Sequence, residues 1–169
     1  MIMKKLSLLF AIMFFAVSLC GQQKGKELAL GSPMPQFTLS SSVYGNLASA
    51  DLKGKVVLIN MFATWCGPCQ GELAEIQKVL WPKYKDNPNF CLVVIGREHT
   101  DEQLAAYNKK KGFTFPLYPD PKRGAYSKFA DSTIPRAYLY NKEGKLVYSS
   151  IGYSQEEFAK LLKAIEEAL

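Results

Sequence analysis

Hydrophobic residues fall along this chain in two kinds of run. "VVLINMFA" (56–63) and "FCLVVIG" (90–96) are short, nearly continuous and rich in β-branched residues, the pattern of strands covered on both faces. Between them Leu73, Ile76, Val79 and Leu80 recur at helical spacing, and the Trp81-Pro82 step predicts a kink or an end to that helix. Thr100 or Asp101 is set to cap a further helix over "EQLAAYNKKK", closed by Gly112. "GFTFPLYPDPKRG" reads as extended and turn-rich, and "AYSKFA" as a short helix. "RAYLYNKEGKLVYSSIG" predicts two strands joined around Asn141–Gly144. Ser154 with Glu157 three residues on forms a capping box for a last helix, whose apolar face is Phe158, Leu161, Leu162 and Ile165. Ahead of all this, Pro33, Pro35, Tyr44-Gly45-Asn46 and Gly54 punctuate a stretch of short edge strands and turns, an N-terminal β extension. Strands alternating with helices and ending in hairpin and helix imply an α/β domain, a central mixed β-sheet flanked by helices on both faces.

Residues 1–20 follow another pattern. "MIMKKLSLLFAIMFFAVSLC" has two early lysines, an apolar run from Leu8 to Val17 and a small-residue exit at Ala16 and Ser18, the layout of a secretory signal peptide. The run is short for a membrane span, so export to the periplasm or cell envelope is the expectation. Cys20 leaves two outcomes open: loss with the signal, or lipidation as in lipoproteins, from whose pattern Leu19 departs because a small residue usually precedes the lipidated cysteine. Residues 21–30 then form a polar spacer, and 31–169 the domain.

With 21 basic and 15 acidic residues the chain carries a formal charge of +6. The longest basic run, Lys109-Lys110-Lys111, reads as a solvated helix end, so nucleic acid is not an expected partner. Export changes the meaning of the cysteines, because disulfides persist outside the cytoplasm. Apart from Cys20 there are three, Cys66, Cys69 and Cys91, and an odd number is no ordinary disulfide framework. Cys91 sits in the "FCLVVIG" run and reads as a small core hydrophobe.

The remaining pair lies in "NMFATWCGPCQGE" (60–72), between the first strand and the helix after it. A metal clip, a structural staple and an exchange reagent are the alternatives. Zinc wants four ligands, and one CxxC with the single histidine, His99, falls short. A staple across three residues closes too small a loop to stabilise much. A helix start at Cys66 offers unpaired N–H groups and partial positive charge, which favour a thiolate. Pro68 suits the first turn, Gly67 leaves the approach open, and Cys69 is one turn on. Exchange is favoured.

"TWCGPC" with "STIP" some 65 residues later resembles thioredoxin, and "GSPMPQFTL…LKGKVVLINMFATWCGPCQGE" is similar, more narrowly, to the exported TlpA/ResA-like thiol–disulfide oxidoreductases, within the group shared with peroxiredoxins (AhpC/TSA–redoxin). The resemblance covers about 31–169 and implies a thioredoxin-like fold with a redox-active Cys66–Cys69 disulfide and no other cofactor. It implies Cys66 as nucleophile and Cys69 as resolving cysteine. It makes Trp65 the tryptophan over the site, and Pro135 a cis-proline that lets the Ile134 backbone pair with a substrate peptide. Gly67, Pro68 and Arg136 complete the substrate-side set. Two departures from thioredoxin are informative. Asn60 replaces its buried aspartate, and Glu72, three residues after Cys69, is then the candidate proton acceptor. Arg136 replaces the usual threonine, and a cation beside the disulfide would favour thiolate at Cys66. His99, Asp120 and Arg123 receive no chemical role, His99 reading as a loop residue.

The implied partners are thiols and disulfides of exported proteins, apocytochrome c thiols among them, and a membrane electron donor. A peroxiredoxin-like peroxidase is the enzyme alternative. It is disfavoured by Ala63 where peroxidases place a threonine and by the lack of a proline in the strand before it. A non-catalytic envelope binding module has no need of two vicinal thiols.

Overall fold

The protein is described by a computed structural model over residues 26–169. The segment read as an export signal, with Cys20, and residues 21–25 of the spacer lie outside these residues. Two short strands, β1 (Thr38–Ser41) and β2 (Gly45–Ala48), form an antiparallel hairpin, the expected N-terminal extension. Gly45 takes φ 75° at its turn, a conformation glycine adopts without a Cβ clash.

The central sheet is built from β3 (Val56–Phe62), β4 (Phe90–Arg97), β5 (Leu117–Asp120), β6 (Arg136–Tyr140) and β7 (Leu146–Ile151). Its order is β5-β4-β3-β6-β7, with β3, β4 and β5 parallel and β6 and β7 antiparallel. Every residue of β3 is buried, as its nearly continuous apolar run requires of a strand with neighbours on both edges and layers on both faces. Alternation along it assigns the two faces. Leu58 and Phe62 pack with Leu73, Ile76 and Leu80 of the helix after β3 and with Phe158, Leu161 and Ile165 of the last helix. Val57, Ile59 and Met61 pack on Phe37, Leu39 and Leu52 of the N-terminal segment and on Tyr126 and Phe129. Asn60 is thereby turned toward the first face, under the helix that starts at the cysteines.

That helix, α1 (Gly67–Glu75), does not stop at Trp81-Pro82. It opens into a π-helical turn over Ile76–Leu80 and runs on as α2 (Trp81–Tyr84), with Trp81 N–H donating to Ile76 O. Proline brings no N–H, and a wide turn absorbs the break. Val79 is left partly exposed, so it is not part of the buried stripe that its spacing suggests.

α3 (Asp101–Lys111) starts with a full capping box between Thr100 and Gln103 and ends at Gly112 with φ 69°. α4 (Tyr126–Phe129) is one short turn. α5 (Gln155–Ala168) is capped by Ser154, whose Oγ accepts from Glu157 N–H at 3.1 Å. The Glu157 carboxylate turns instead to Tyr148 Oη–H at 3.2 Å and Lys160 Nζ at 2.8 Å, so only half of the expected capping box forms. Cys91 is a free thiol, partly buried beside the second cluster; burial pushes its pKa up, partly offset by Lys55.

Candidate active site

The chain leaves β3 at Phe62 and reaches α1 through Ala63–Trp65, with Cys66 N–H donating to Ala63 O at 3.1 Å. Cys66 is the N-cap of α1, and its Sγ accepts from Cys69 N–H at 3.3 Å. The two cysteines are joined as a disulfide. Cys66 keeps 6% exposure whereas Cys69 is fully buried. Trp65 stands 66% exposed beside them. Pro68 lies in the first turn of α1, and a Cβ on Gly67 would meet nothing within 4 Å. Cys66 therefore keeps slight access to solvent with its sulfur at the helix N-terminus, where the Cys69 N–H and the helix dipole favour a thiolate, and Cys69 has none.

Glu72 lies one turn beyond Cys69 and is only 3% exposed. Its Oε2 accepts from Asn60 Nδ2 at 2.8 Å. Burial pushes the carboxyl from its ordinary 4.5 up to about 7, opposed by that hydrogen bond. A buried acid thus stands on the helix, held by Asn60 of β3. Asn60 Oδ1 is itself without a partner. Gly71 allows the Tyr153 ring to lie against α1 next to this acid: a Cβ there would meet Tyr153 Cε1 at 2.8 Å. Gly71→Ala is expected to push Tyr153 away, admit water to Glu72 and lower its carboxyl pKa, which a carboxyl-selective NMR titration reads.

The Ile134–Pro135 bond is cis, as the resemblance implies, and Pro135 O accepts from Gly152 N–H at 2.8 Å. Arg136 is a correction. It is not beside Cys66 and not at the surface; it is 4% exposed, on the opposite sheet face from the helix that carries the cysteines. Strand alternation forces this, because Ala137 takes the α1 face and its neighbour must take the other. Its Nε donates to Ser132 O at 3.0 Å and Thr133 O at 3.2 Å, and a terminal nitrogen donates to Tyr138 Oη at 3.3 Å.

Thr133, at φ 69°, is further held by Tyr126 Oη–H to its carbonyl at 2.8 Å. Tyr126 is in turn placed by Asp120, whose carboxylate accepts from the N–H groups of Ala125 and Tyr126, at 3.2 and 2.7 Å. The Arg123 guanidinium stacks on the same ring at 5.0 Å. Asp120, Arg123 and Arg136 thus brace the loop that carries Ile134 and Pro135, a role the sequence reading does not give them. The only signal for it is a charged residue opening an apolar strand in "IPRAYLY". Arg136→Leu is expected to remove the guanidinium's hydrogen bonds to Ser132 O and Tyr138 Oη, leaving Thr133 O to Tyr126 alone, and to cost about 1–3 kcal/mol in urea unfolding, with little change in the Cys66 pKa.

His99 is not a plain loop residue: it is buried and hydrogen-bonded to Thr64, two residues before Cys66. Among the described residues no group of three or more His, Cys, Asp or Glu could hold a metal ion. Two concavities, of about 290 and 870 Å³, are lined by residues around Ser41 and Leu104 and around Phe37 and Lys142. Neither includes the cysteines.

The sequence profile of the AhpC/TSA family matches residues 30–149. Thiol-disulfide oxidoreductase ResA of Bacillus subtilis (strain 168) is 31% identical over 126 residues, covering 73% of this chain and 68% of that protein. ResA of Bacillus anthracis is 28% identical over 141 residues, 83% of this chain and 80% of that one. A solved putative protein disulfide isomerase from Bacteroides thetaiotaomicron superposes with TM-score 0.81 at 37% identity, over 86% of this chain and 92% of its own. With the CxxC disulfide at the strand-to-helix junction and the mixed sheet beneath it, these relationships place the chain in the AhpC/TSA family, as a thioredoxin-fold, ResA-like thiol–disulfide oxidoreductase.

Proposed function

We propose that the protein is an exported reductant of protein disulfides, with Cys66 as nucleophile and Cys69 as resolving cysteine. The observation that carries this reading is the Cys66 sulfur at the N-cap of α1, accepting from Cys69 N–H while Cys69 itself is buried. In the reduced protein the Cys66 thiolate attacks one sulfur of a substrate disulfide. A Cys66–substrate S–S bond forms, and the other substrate sulfur leaves as thiolate. Cys69 then gives its proton to the Glu72 carboxylate and attacks Cys66 Sγ. This closes the Cys66–Cys69 disulfide and releases the second substrate thiolate. Two electrons pass to the substrate, carried by the cysteine pair without a separate cofactor, and a membrane-side dithiol donor restores them.

Trp65, Gly67, Pro68 and the Ile134–Pro135 backbone form the surface on which an extended peptide docks. The Gly-Pro dipeptide favours the reducing direction, since thioredoxin with the same dipeptide lies near −270 mV. Export rests on the 1–20 signal pattern, with 21–30 as spacer, 31–169 as the working domain and Cys20 as a lipid anchor where processing leaves it. Among the described residues no helix is long and apolar enough to cross a membrane.

Insulin reduction with a chemical dithiol as donor tests the activity. The protein should accelerate precipitation of the insulin B chain while consuming no hydrogen peroxide. Peroxide consumption without insulin reduction would instead select the peroxidase reading, and neither activity the binding module.

A further inference from the structure

Thr64 and Trp65 connect β3 to the N-cap, yet Thr64 is only half-buried and Trp65 is exposed. Packing alone does not hold this segment. Its polar groups are held instead. Thr64 N–H donates to His99 Nε2 at 3.1 Å, and Thr64 Oγ1 lies 2.7 Å from the same nitrogen. Thr64 O accepts from Gln70 Nε2 at 3.3 Å, and Gln70 Oε1 accepts from Tyr107 Oη–H at 2.7 Å. The other ring nitrogen of His99, Nδ1, is 2.8 Å from Arg97 O. A carbonyl only accepts and a backbone N–H only donates. His99 therefore carries its proton on Nδ1 and leaves Nε2 as an acceptor. The ring is buried and lies near Phe62, at 6.4 Å between centroids, so the acceptor has a fixed position.

We propose that His99 is a positioning residue for thiol–disulfide exchange. Through Thr64 it fixes the segment carrying Trp65 and Cys66, and so sets the reactivity and redox potential of the cysteine pair. The inference rests on the reading of Cys66 as nucleophile. The Cys66 sulfur gains from the helix N-terminus only while it stays over the Cys69 N–H, and the residues before it decide whether it does. Release of Thr64 lets Cys66 swing from the cap, which weakens the thiolate. The dithiol is destabilised relative to the disulfide, and the couple becomes more reducing.

The test compares His99→Leu, which removes the acceptor, with His99→Gln, whose Oε1 reaches toward the position of Nε2. Cys66 in reduced His99→Leu should alkylate about tenfold more slowly at neutral pH than in the unmodified protein. The potential should fall by up to about 30 mV, the equivalent of tenfold in a two-electron equilibrium. His99→Gln should recover most of both. Equal values for all three proteins overturn the proposal, as do equal losses in both variants, which would reduce His99 to packing.

If His99→Leu does not fold, nitrogen-15 NMR of the unmodified protein decides. Protonated Nδ1, bare Nε2 and a Thr64 amide whose shift changes on reduction support the clamp. Protonated Nε2 or a redox-silent Thr64 amide overturns it. Faster labelling of Cys69 than Cys66 in the unmodified protein would defeat the nucleophile assignment itself, and the potentials alone would then judge His99.

Discussion

Cys69→Ser is expected to accumulate a mixed disulfide with its protein substrates, whereas Cys66→Ser is expected to lose exchange to the uncatalysed background. The two outcomes differ because the two sulfurs occupy different places. Cys66 keeps 6% exposure and sits at the helix N-terminus, while Cys69 is fully buried. With serine at 69, attack by Cys66 still forms the first S–S bond, but no internal thiolate is present to break it. Turnover should fall at least about a hundredfold, the substrate remaining attached until an external thiol releases it. With serine at 66 the N-cap position holds a hydroxyl, which does not ionise near neutral pH. Cys91 does not stand in, since burial raises its thiol pKa and it lies on the opposite sheet face. Non-reducing electrophoresis after incubation with an oxidised substrate, followed by peptide mapping, reads both results. An adduct that persists in Cys66→Ser and disappears in Cys66→Ser/Cys91→Ser would transfer the chemistry to Cys91.

Glu72→Gln should alter both pH dependence and rate. Burial sets the Glu72 carboxyl at about 7 against an ordinary 4.5, so between these values the folded protein binds more protons than the unfolded chain. A raised carboxyl pKa means that its stabilising, protonated state is fully present below 4.5. That contribution is lost as pH rises through about 7. The loss amounts to about 3 kcal/mol at 1.36 kcal/mol per unit. Glutamine has no proton to lose. The stability of Glu72→Gln relative to the unmodified protein should therefore rise by that amount on going from acid to mildly alkaline solution, as measured by urea unfolding across the range. Resolution of the mixed disulfide should slow by about a hundredfold, the scale of one general base, and its rise with pH near 7 should vanish. A variant with unchanged resolution kinetics would leave Glu72 as a buried acid with no part in proton transfer.

The order of strands and helices was readable because the apolar runs are unambiguous. A nearly continuous run such as 56–62 has one place in a mixed sheet, and the CxxC at its end fixes the site. The burial of Glu72 was readable as well, because helical spacing from Cys69 puts it on the inward face. What escaped was side-chain direction at the strand ends. The position of Arg136 after Pro135 suggests nearness to Cys66, yet the period of two along β6 turns it to the far face. His99 escaped because its partner, Thr64, is 35 residues away, and a pattern of local spacing does not reach that far. The π turn over Ile76–Leu80 escaped for a related reason: Pro82 announces a break but not whether the helix ends or widens around it.

The order of reactivity of the two active-site thiols tests the central claim most directly. The protein is reduced, freed of reductant and treated briefly at neutral pH with a limiting alkylating reagent, then quenched and mapped by mass spectrometry. Modification at Cys66 well ahead of both Cys69 and Cys91 is the expected result, because Cys66 sits at the helix N-terminus and, unlike Cys69, keeps some exposure. Modification of Cys69 first, or of the two at equal rates, would contradict the assignment of nucleophile and resolving cysteine.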